Sequence, residues 1–373
     1  MQVSLDKDFK KGIGEILHFP RATTAIYTAL KSYCASGKII IPSTICLDPI
    51  IACHYANYEP VFVGVEGFQL NLKETINILD NDSKINAILL PFLYGYPIVG
   101  LDEFWAQIKS REILVIEDLA QTLGPSHFIV SHAKPRVVTI YSCGRSKIID
   151  TQRLGIAHTL DAELYSEMKN LRPKELLISE NAYDDLERKY KQTYESFLSS
   201  GTFEKNWKSF YHNVWDSDPR LFIPFLEKPR KYPLSLHVTG LQTPDLDLRK
   251  RRHTTLDELF RNLPNAVLPD LTDSTRPIWR TTVRIPNFER NQLHTYMKSK
   301  GLPVSKWYKA MHRYVPGFMS QNSRELASAE LFEDEVLNFR IDSHMGEGDF
   351  QNYKSAIKDW IFTPALRGEE YST

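Results

Sequence analysis

The sequence predicts an α/β fold with a mostly parallel sheet, followed by a smaller α+β domain, and three observations carry that prediction. First, short β-branched runs alternate with helix-patterned segments up to about residue 160. That alternation winds parallel strands through crossover helices that cover both faces of the sheet. Second, the pattern changes near residue 245, where longer helices separate single strands. Third, 373 residues suffice for one large domain and one smaller one, each with a core. The expected division is 1–245 and 246–373.

Taken in order, residues 1–20 are weakly patterned and read as a lead-in arm. From Arg21 to Tyr33, the residues Ala25, Ile26, Ala29, Leu30 and Tyr33 share one helical face. Thr23 and Thr24 stand at its start, where a hydroxyl can cap a helix and free N–H groups can hold an anion. Lys38–Pro42 is a strand stopped by its proline, 47–57 a helical connection and 60–65 another strand. A short helix over 72–79 precedes a buried strand over 86–94 and the turn Gly95-Tyr96-Pro97. A helix over 102–109 leads to the strand Ile113–Ile116, which runs into Glu117-Asp118-Leu119-Ala120-Gln121. Residues 136–143 and 155–160 add two strands with a lysine-bearing turn between them.

Helices over 162–171 and 181–198 carry charged, solvated outer faces. Residues 200–232 are rich in Trp, Phe, Tyr and Pro and read as an irregular packed excursion or a substrate loop. The basic run Asp247–His253 opens a helix to Phe260 and reads as a solvated face. An alternating strand over 280–285, a helix over 290–300 closed by Gly301, a strand over 336–341 and a helix over 350–361 complete the second domain.

Bulk properties exclude several function classes. Lys+Arg and Asp+Glu both number 46, so nothing suggests a nucleic-acid footprint. The cysteines Cys34, Cys46, Cys53 and Cys143 are scattered, which fits reduced thiols. His54, His158, His237, His253, His312 and His344 show no metal-like spacing, so no metal is expected. The longest uncharged stretch, Ile85–Leu101, contains Asn86, Pro91, Gly95 and Pro97 and reads as strand and loop, not as a membrane helix. The expected location is cytoplasmic.

The chemistry concentrates on Val137–Lys147. A β-branched run delivers Ser142 and, five residues later, Lys147. A lysine on a sheet-end turn can form a Schiff base. Alone it would read as a surface charge. Asp118, at the end of an earlier strand, changes the reading, although it could also simply cap a helix. A strand-end acid and a strand-end lysine in one α/β sheet suit pyridoxal phosphate (PLP), whose ring nitrogen needs an acid if the ring is to act as an electron sink. Glu117 is expected to face the other way, because neighbours on a strand alternate.

Several segments together resemble the DegT/DnrJ/EryC1/StrS family of PLP-dependent sugar aminotransferases. They are Arg21–Leu30, Ile41–Thr44, Pro60–Val63, Leu93–Pro97, Val115–Gly124 and Tyr141–Lys147, and the likeness runs from about residue 18 to about 360. The resemblance implies PLP fold type I, with a seven-stranded-type sheet in the large domain. It implies that Lys147 carries the cofactor and is catalytic together with Asp118, which pairs with the pyridine nitrogen. It places Gln121 near the ring hydroxyl, Thr23, Thr24 and Ser142 on the phosphate, and Tyr94 near the mouth of the site. It also implies a homodimer with shared active sites, taking a small-molecule amino donor, glutamate or glutamine, and a keto acceptor from sugar or natural-product biosynthesis.

The chain departs from the family pattern at three places. Cys46 stands where an aromatic ring usually stacks on the cofactor. Gln152-Arg153-Leu154 fills a stretch that is usually glycine-rich, leaving Gly155. Lys231 and Pro233 stand where the family has an Asn-Tyr-Arg segment that reaches the partner's cofactor phosphate, so Lys231 is the substitute phosphate cation. Arg153 is a candidate for a substrate anion or a structural ion pair, and His312 for a substrate contact. The departures keep open two alternatives: a PLP enzyme for elimination, replacement or cyclisation on an amino acid, and a non-catalytic relative.

Overall fold

The computed structural model describes residues 15–124, 126–127, 134–144, 146–151, 153–199, 218–227, 244–271, 276–315, 326–363 and 366. Its central sheet has seven strands: β1 (Glu15–Phe19), β2 (Gly37–Pro42), β3 (Tyr58–Val63), β6 (Ile85–Pro91), β7 (Leu114–Asp118), β8 (Arg136–Ser142) and β9 (Gly155–Thr159). Between β3 and β6 lies a small hairpin of β4 (Val65–Glu66) and β5 (Gln69–Leu70). The strand order is β1-β9-β8-β7-β6-β2-β3. The five strands from β8 to β3 run parallel, and β9 and β1 add antiparallel pairs at one edge.

The interior strands are buried because helices cover both faces. Ile39 and Ile41 of β2 pack with the helices Ala22–Tyr33 and Leu47–Tyr55, while Ile40 between them joins the opposite core with Leu101 and Phe104. Ile116 and Val115 of β7 divide the same way. This is the period of two expected of a strand, with an apolar layer on each side. Each such side chain contributes about 1.5–3 kcal/mol on burial.

A second core gathers Leu256, Phe260, Val283, Leu293, Phe339, Tyr353 and Trp360. Its sheet is antiparallel, with β14 (Val336–Phe339) between β12 (Thr281–Arg284) and β13 (Val304–Ser305). The helices Pro244–Phe260, Asn287–Ser299 and Glu347–Phe362 lie near the expected bounds, and a further helix, Ala327–Glu335, was not expected.

Two local expectations need correction. Part of the lead-in arm is strand β1, paired with β9 from Glu15–Thr159 to Phe19–Gly155. The threonines do not cap the first helix: Arg21 is its N-cap residue and makes no side-chain capping bond. Of the aromatic excursion only 218–227 lies among the described residues, where Phe225–Leu226 (β11) pairs in parallel with Leu177–Ile178 (β10).

Gly155 is fixed by close approach, since a Cβ there would meet the Arg21 carbonyl carbon and oxygen at 2.2 Å. Gly155→Ala is therefore expected to lower stability by about 1–3 kcal/mol through overpacking. An unchanged urea midpoint would contradict this. Among the described residues, no helix is long and apolar enough to cross a membrane, and no cluster of His, Cys, Asp and Glu could hold a metal ion.

Candidate active site

The parallel register sets Pro91 of β6 beside Asp118 of β7, and Asp118 beside Ile140 of β8. The chain leaves these strands on one edge of the sheet, outside their carboxyl ends, where open α/β sheets bind ligands. Asp118 ends its strand in the interior. Its only side-chain hydrogen bond among the described residues is from the Ala120 N–H to Oδ1, at 2.8 Å. Burial pushes the Asp118 carboxyl up from its ordinary range, while the Ala120 N–H and Lys147 pull it back. Glu117 faces the other way and accepts from the His127 N–H at 2.9 Å and the Thr139 hydroxyl at 2.9 Å.

Lys147 sits on a tight turn. Ser146 has a φ of 63°. The Ser146 N–H donates to Asp150 Oδ2 at 2.8 Å, and the Lys147 N–H donates to the Gly144 carbonyl at 3.2 Å. The turn is tied to Trp279, two residues before β12, whose Nε1–H donates to the Ser146 carbonyl at 2.6 Å. The same indole carries the lysine, with Nζ 5.3 Å from the ring centroid. The Lys147 charge acts on both Asp118 and Cys46. Burial drives the Cys46 thiol up, and Asp48 pushes in the same direction.

Gln121 lies behind Asp118. Its Oε1 accepts from the Tyr94 N–H at 2.5 Å, and its Nε2–H donates to the Tyr308 hydroxyl at 2.6 Å. Tyr94 is not at a mouth: it is fully buried, its hydroxyl donates to the Trp307 carbonyl at 2.6 Å, and its ring stacks on Tyr308 at 5.8 Å. It forms the wall behind the site, and a ring so enclosed has no free edge for a substrate.

The threonines divide. The Thr24 hydroxyl is buried and donates to the Pro224 carbonyl at 3.3 Å. The Thr23 hydroxyl points to Asp48 Oδ1 at 3.3 Å, longer than an ordinary O–H···O bond and easily surrendered. Among the described residues the Ser142 hydroxyl makes no hydrogen bond; Ser142 ends β8 and is half-buried.

The remaining candidates are engaged elsewhere. Arg153 forms an ion pair with Asp184 and faces the Tyr183 ring at 5.3 Å, the structural alternative anticipated for it. His312 is buried with both ring nitrogens occupied, Nδ1 with the Ser43 hydroxyl at 2.7 Å and Nε2 with Glu330 at 3.2 Å. It therefore holds two segments together and has no nitrogen left for a substrate. Lys231 and Gln152 lie outside the described residues. Sequence reasoning missed Asp48 and Trp279; no spacing pointed to either, because only the fold brings them to Lys147 and Asp118.

These residues fit PLP. Asp118 is a buried acid with one carboxyl oxygen unpartnered among the described residues and within the electrostatic reach of Lys147, and a protonated ring nitrogen would complete it. Ser142, Thr23 and the unpaired N–H groups at the start of the Ala22–Tyr33 helix would take the phosphate.

No family model matches the chain, and no curated protein matches it. Solved structures do. The chain is similar to S. venezuelae DesV, solved with a ketimine intermediate, at 17% identity and TM-score 0.65, over 93% of this chain and 85% of DesV. It is similar to a DegT DnrJ EryC1 StrS aminotransferase from Brucella abortus at 16% identity and TM-score 0.63, over 96% and 89%. It is also similar to 3-amino-5-hydroxybenzoic acid synthase at 14% identity and TM-score 0.60, over 92% and 85%. The fold is thus the one these structures share, as expected for the large α/β unit and its smaller companion.

Proposed function

We propose that the chain is a PLP-dependent aminotransferase that moves an amino group from an amino-acid donor, glutamate or glutamine, to a keto-sugar or related ketone in a biosynthetic pathway. One observation carries the reading: buried Asp118, with a carboxyl oxygen unpartnered among the described residues, feels the Lys147 charge at the carboxyl ends of neighbouring parallel strands. The fold shared with DesV and the Brucella aminotransferase supports it. The reading includes a division at 245/246, a cytoplasmic location and a homodimer with shared sites.

When bound, PLP supplies an aldehyde for an amine and a ring that accepts electron density. The protein does the rest. Lys147 Nζ would hold the cofactor and, as a free amine, would be the base that takes the proton from the donor's α-carbon. Asp118 keeps the ring nitrogen protonated, an electrostatic contribution that costs no reorganisation because the carboxyl is already fixed by Ala120. Gln121, locked between Tyr94 and Tyr308, is held where it can meet the ring hydroxyl.

Cys46 favours a second reading, in which PLP serves elimination, replacement or cyclisation on an amino acid, because a thiol in place of a stacked ring leaves the cofactor freer to tilt. One experiment separates the two. Purified protein mixed with PLP is expected to show a visible absorption band, which glutamate bleaches with release of 2-oxoglutarate. Absence of the band overturns both readings. A band that glutamate leaves intact, without 2-oxoglutarate, favours the second.

A further inference from the structure

Arg280 begins the second core's sheet, one residue before β12, and is 8% exposed. Among the described residues its guanidinium makes no hydrogen bond or ion pair, and Nε is sealed from solvent without an acceptor. Its carbon Cζ lies 4.4 Å from the Trp279 ring and 5.4 Å from the Trp307 ring, and these two indoles are stacked at 6.1 Å. The acid that could neutralise it is already committed. Asp342 receives both Arg340 Nη2, at 2.8 Å, and Arg340 Nε, at 3.1 Å, and also the His344 N–H at 3.1 Å. Arg249 nearby has its own acid in Asp245, at 2.5 Å. Among the described residues, Arg280 is thus left without a carboxylate of its own.

A buried charge without a partner is strongly disfavoured, and an arginine does not escape by losing its proton. Burial lowers the Arg280 pKa from its ordinary value, with Arg340 adding to the effect. Two flat indoles hold the guanidinium plane but supply no acceptor. What is missing is an oxyanion. The location says whose: the Trp279 indole beneath Arg280 also carries Lys147 Nζ. Trp307, the other indole, offers its carbonyl to Tyr94, and the adjacent Tyr308 hydroxyl meets Gln121.

We propose that Arg280 is the receptor for an oxyanion of the substrate, a carboxylate or a phosphate, and fixes that group relative to Lys147. The assignment rests on the aminotransferase reading for the identity of the substrate, but not for the binding itself. A carboxylate would belong to the amino-acid donor, and a phosphate to a nucleotide-linked acceptor.

The test is calorimetric titration of the PLP-loaded protein with two unreactive probes, glutarate and inorganic pyrophosphate. At least one is expected to bind, and Arg280→Gln to weaken it about tenfold to hundredfold, the loss of one charged hydrogen-bonded contact. Arg280→Lys, which keeps the charge and removes the planar fork, is expected to fall between them and to stand in if the glutamine variant does not fold. Preference for glutarate assigns the site to the donor, and preference for pyrophosphate to the acceptor. If neither probe binds the wild type, or if both variants bind as well as the wild type does, the proposal is overturned. If no cofactor band forms while probe binding still depends on Arg280, the aminotransferase reading fails and the receptor stands.

Discussion

Lys147→Ala is expected to lose the visible absorption band of the PLP-loaded protein together with all measurable amino transfer, whereas Asp118→Asn keeps the band and loses about 10²–10³-fold in turnover. The two residues differ in kind. In the proposed reaction Lys147 would supply the nucleophilic amine, and no neighbour could replace it, because the turn from Gly144 to Asp150 carries a single amine, beside Trp279. In the same reaction Asp118 would supply a fixed charge against the ring nitrogen, and removing one preorganised electrostatic group has an effect of that order. A band that survives in Lys147→Ala would remove Lys147 from the site, and full turnover in Asp118→Asn would remove Asp118.

The same carboxyl makes a prediction about stability that is independent of activity. Burial raises its folded pKa above the ordinary 3.8. A raised folded pKa means that the native state binds the proton more tightly than the unfolded chain does. Its favourable contribution is complete below 3.8 and is lost as the pH climbs through the folded value. Above that range the cofactor-free wild type therefore bears the cost of a buried carboxyl that the unfolded chain ionises freely, a cost that Asp118→Asn lacks. Without cofactor the asparagine variant is expected to be more stable at pH 7 by about 0.5–2 kcal/mol, in the manner of a site that sacrifices stability for function. The advantage should shrink as the pH falls toward 3.8. Urea unfolding at the two ends of that range decides it, and equal midpoints at neutral pH would refute the argument.

The sheet was legible because its signal is local. A strand such as Lys38-Ile39-Ile40-Ile41-Pro42 declares itself by β-branching and by the proline that stops it, and an all-apolar run reads as a strand buried on both faces. The positions of Asp118, at the end of one such run, and of Lys147, just beyond another, were legible for the same reason. The edge strand Glu15–Phe19 was not, since its pattern is short and half-exposed and its stability comes from pairing with β9 far along the chain. Trp279, Arg280 and Asp48 carry no local mark either, and only tertiary structure brings them to Lys147 or Asp118 or to each other. Arg153 and His312 illustrate the converse. Each is a residue type suited to substrate binding, and in each the polar groups are spent on Asp184, Ser43 or Glu330.

Glu333→Ala is expected to cost about 3–5 kcal/mol, the largest stability effect of a single side chain that touches no ligand. Glu333 is 4% exposed and faces Lys309 at 2.9 Å, with Arg313 at 3.6 Å. Its oxygens also accept from the Ala310 N–H at 3.0 Å and the Tyr314 hydroxyl at 2.7 Å. Truncation would leave buried donors facing a cavity. The consequence extends to the site, because Lys309 and Ala310 follow Trp307 and Tyr308, which brace Tyr94 and Gln121. Glu333→Ala should therefore lower the urea midpoint and also weaken PLP binding, although Glu333 lies behind that wall. Glu333→Gln keeps an acceptor for the Ala310 N–H and should show a smaller loss of both. If the alanine variant matches the wild type in midpoint, the network is ornamental. If it loses stability but binds PLP with unchanged affinity, the Trp307–Ala310 segment does not position the site.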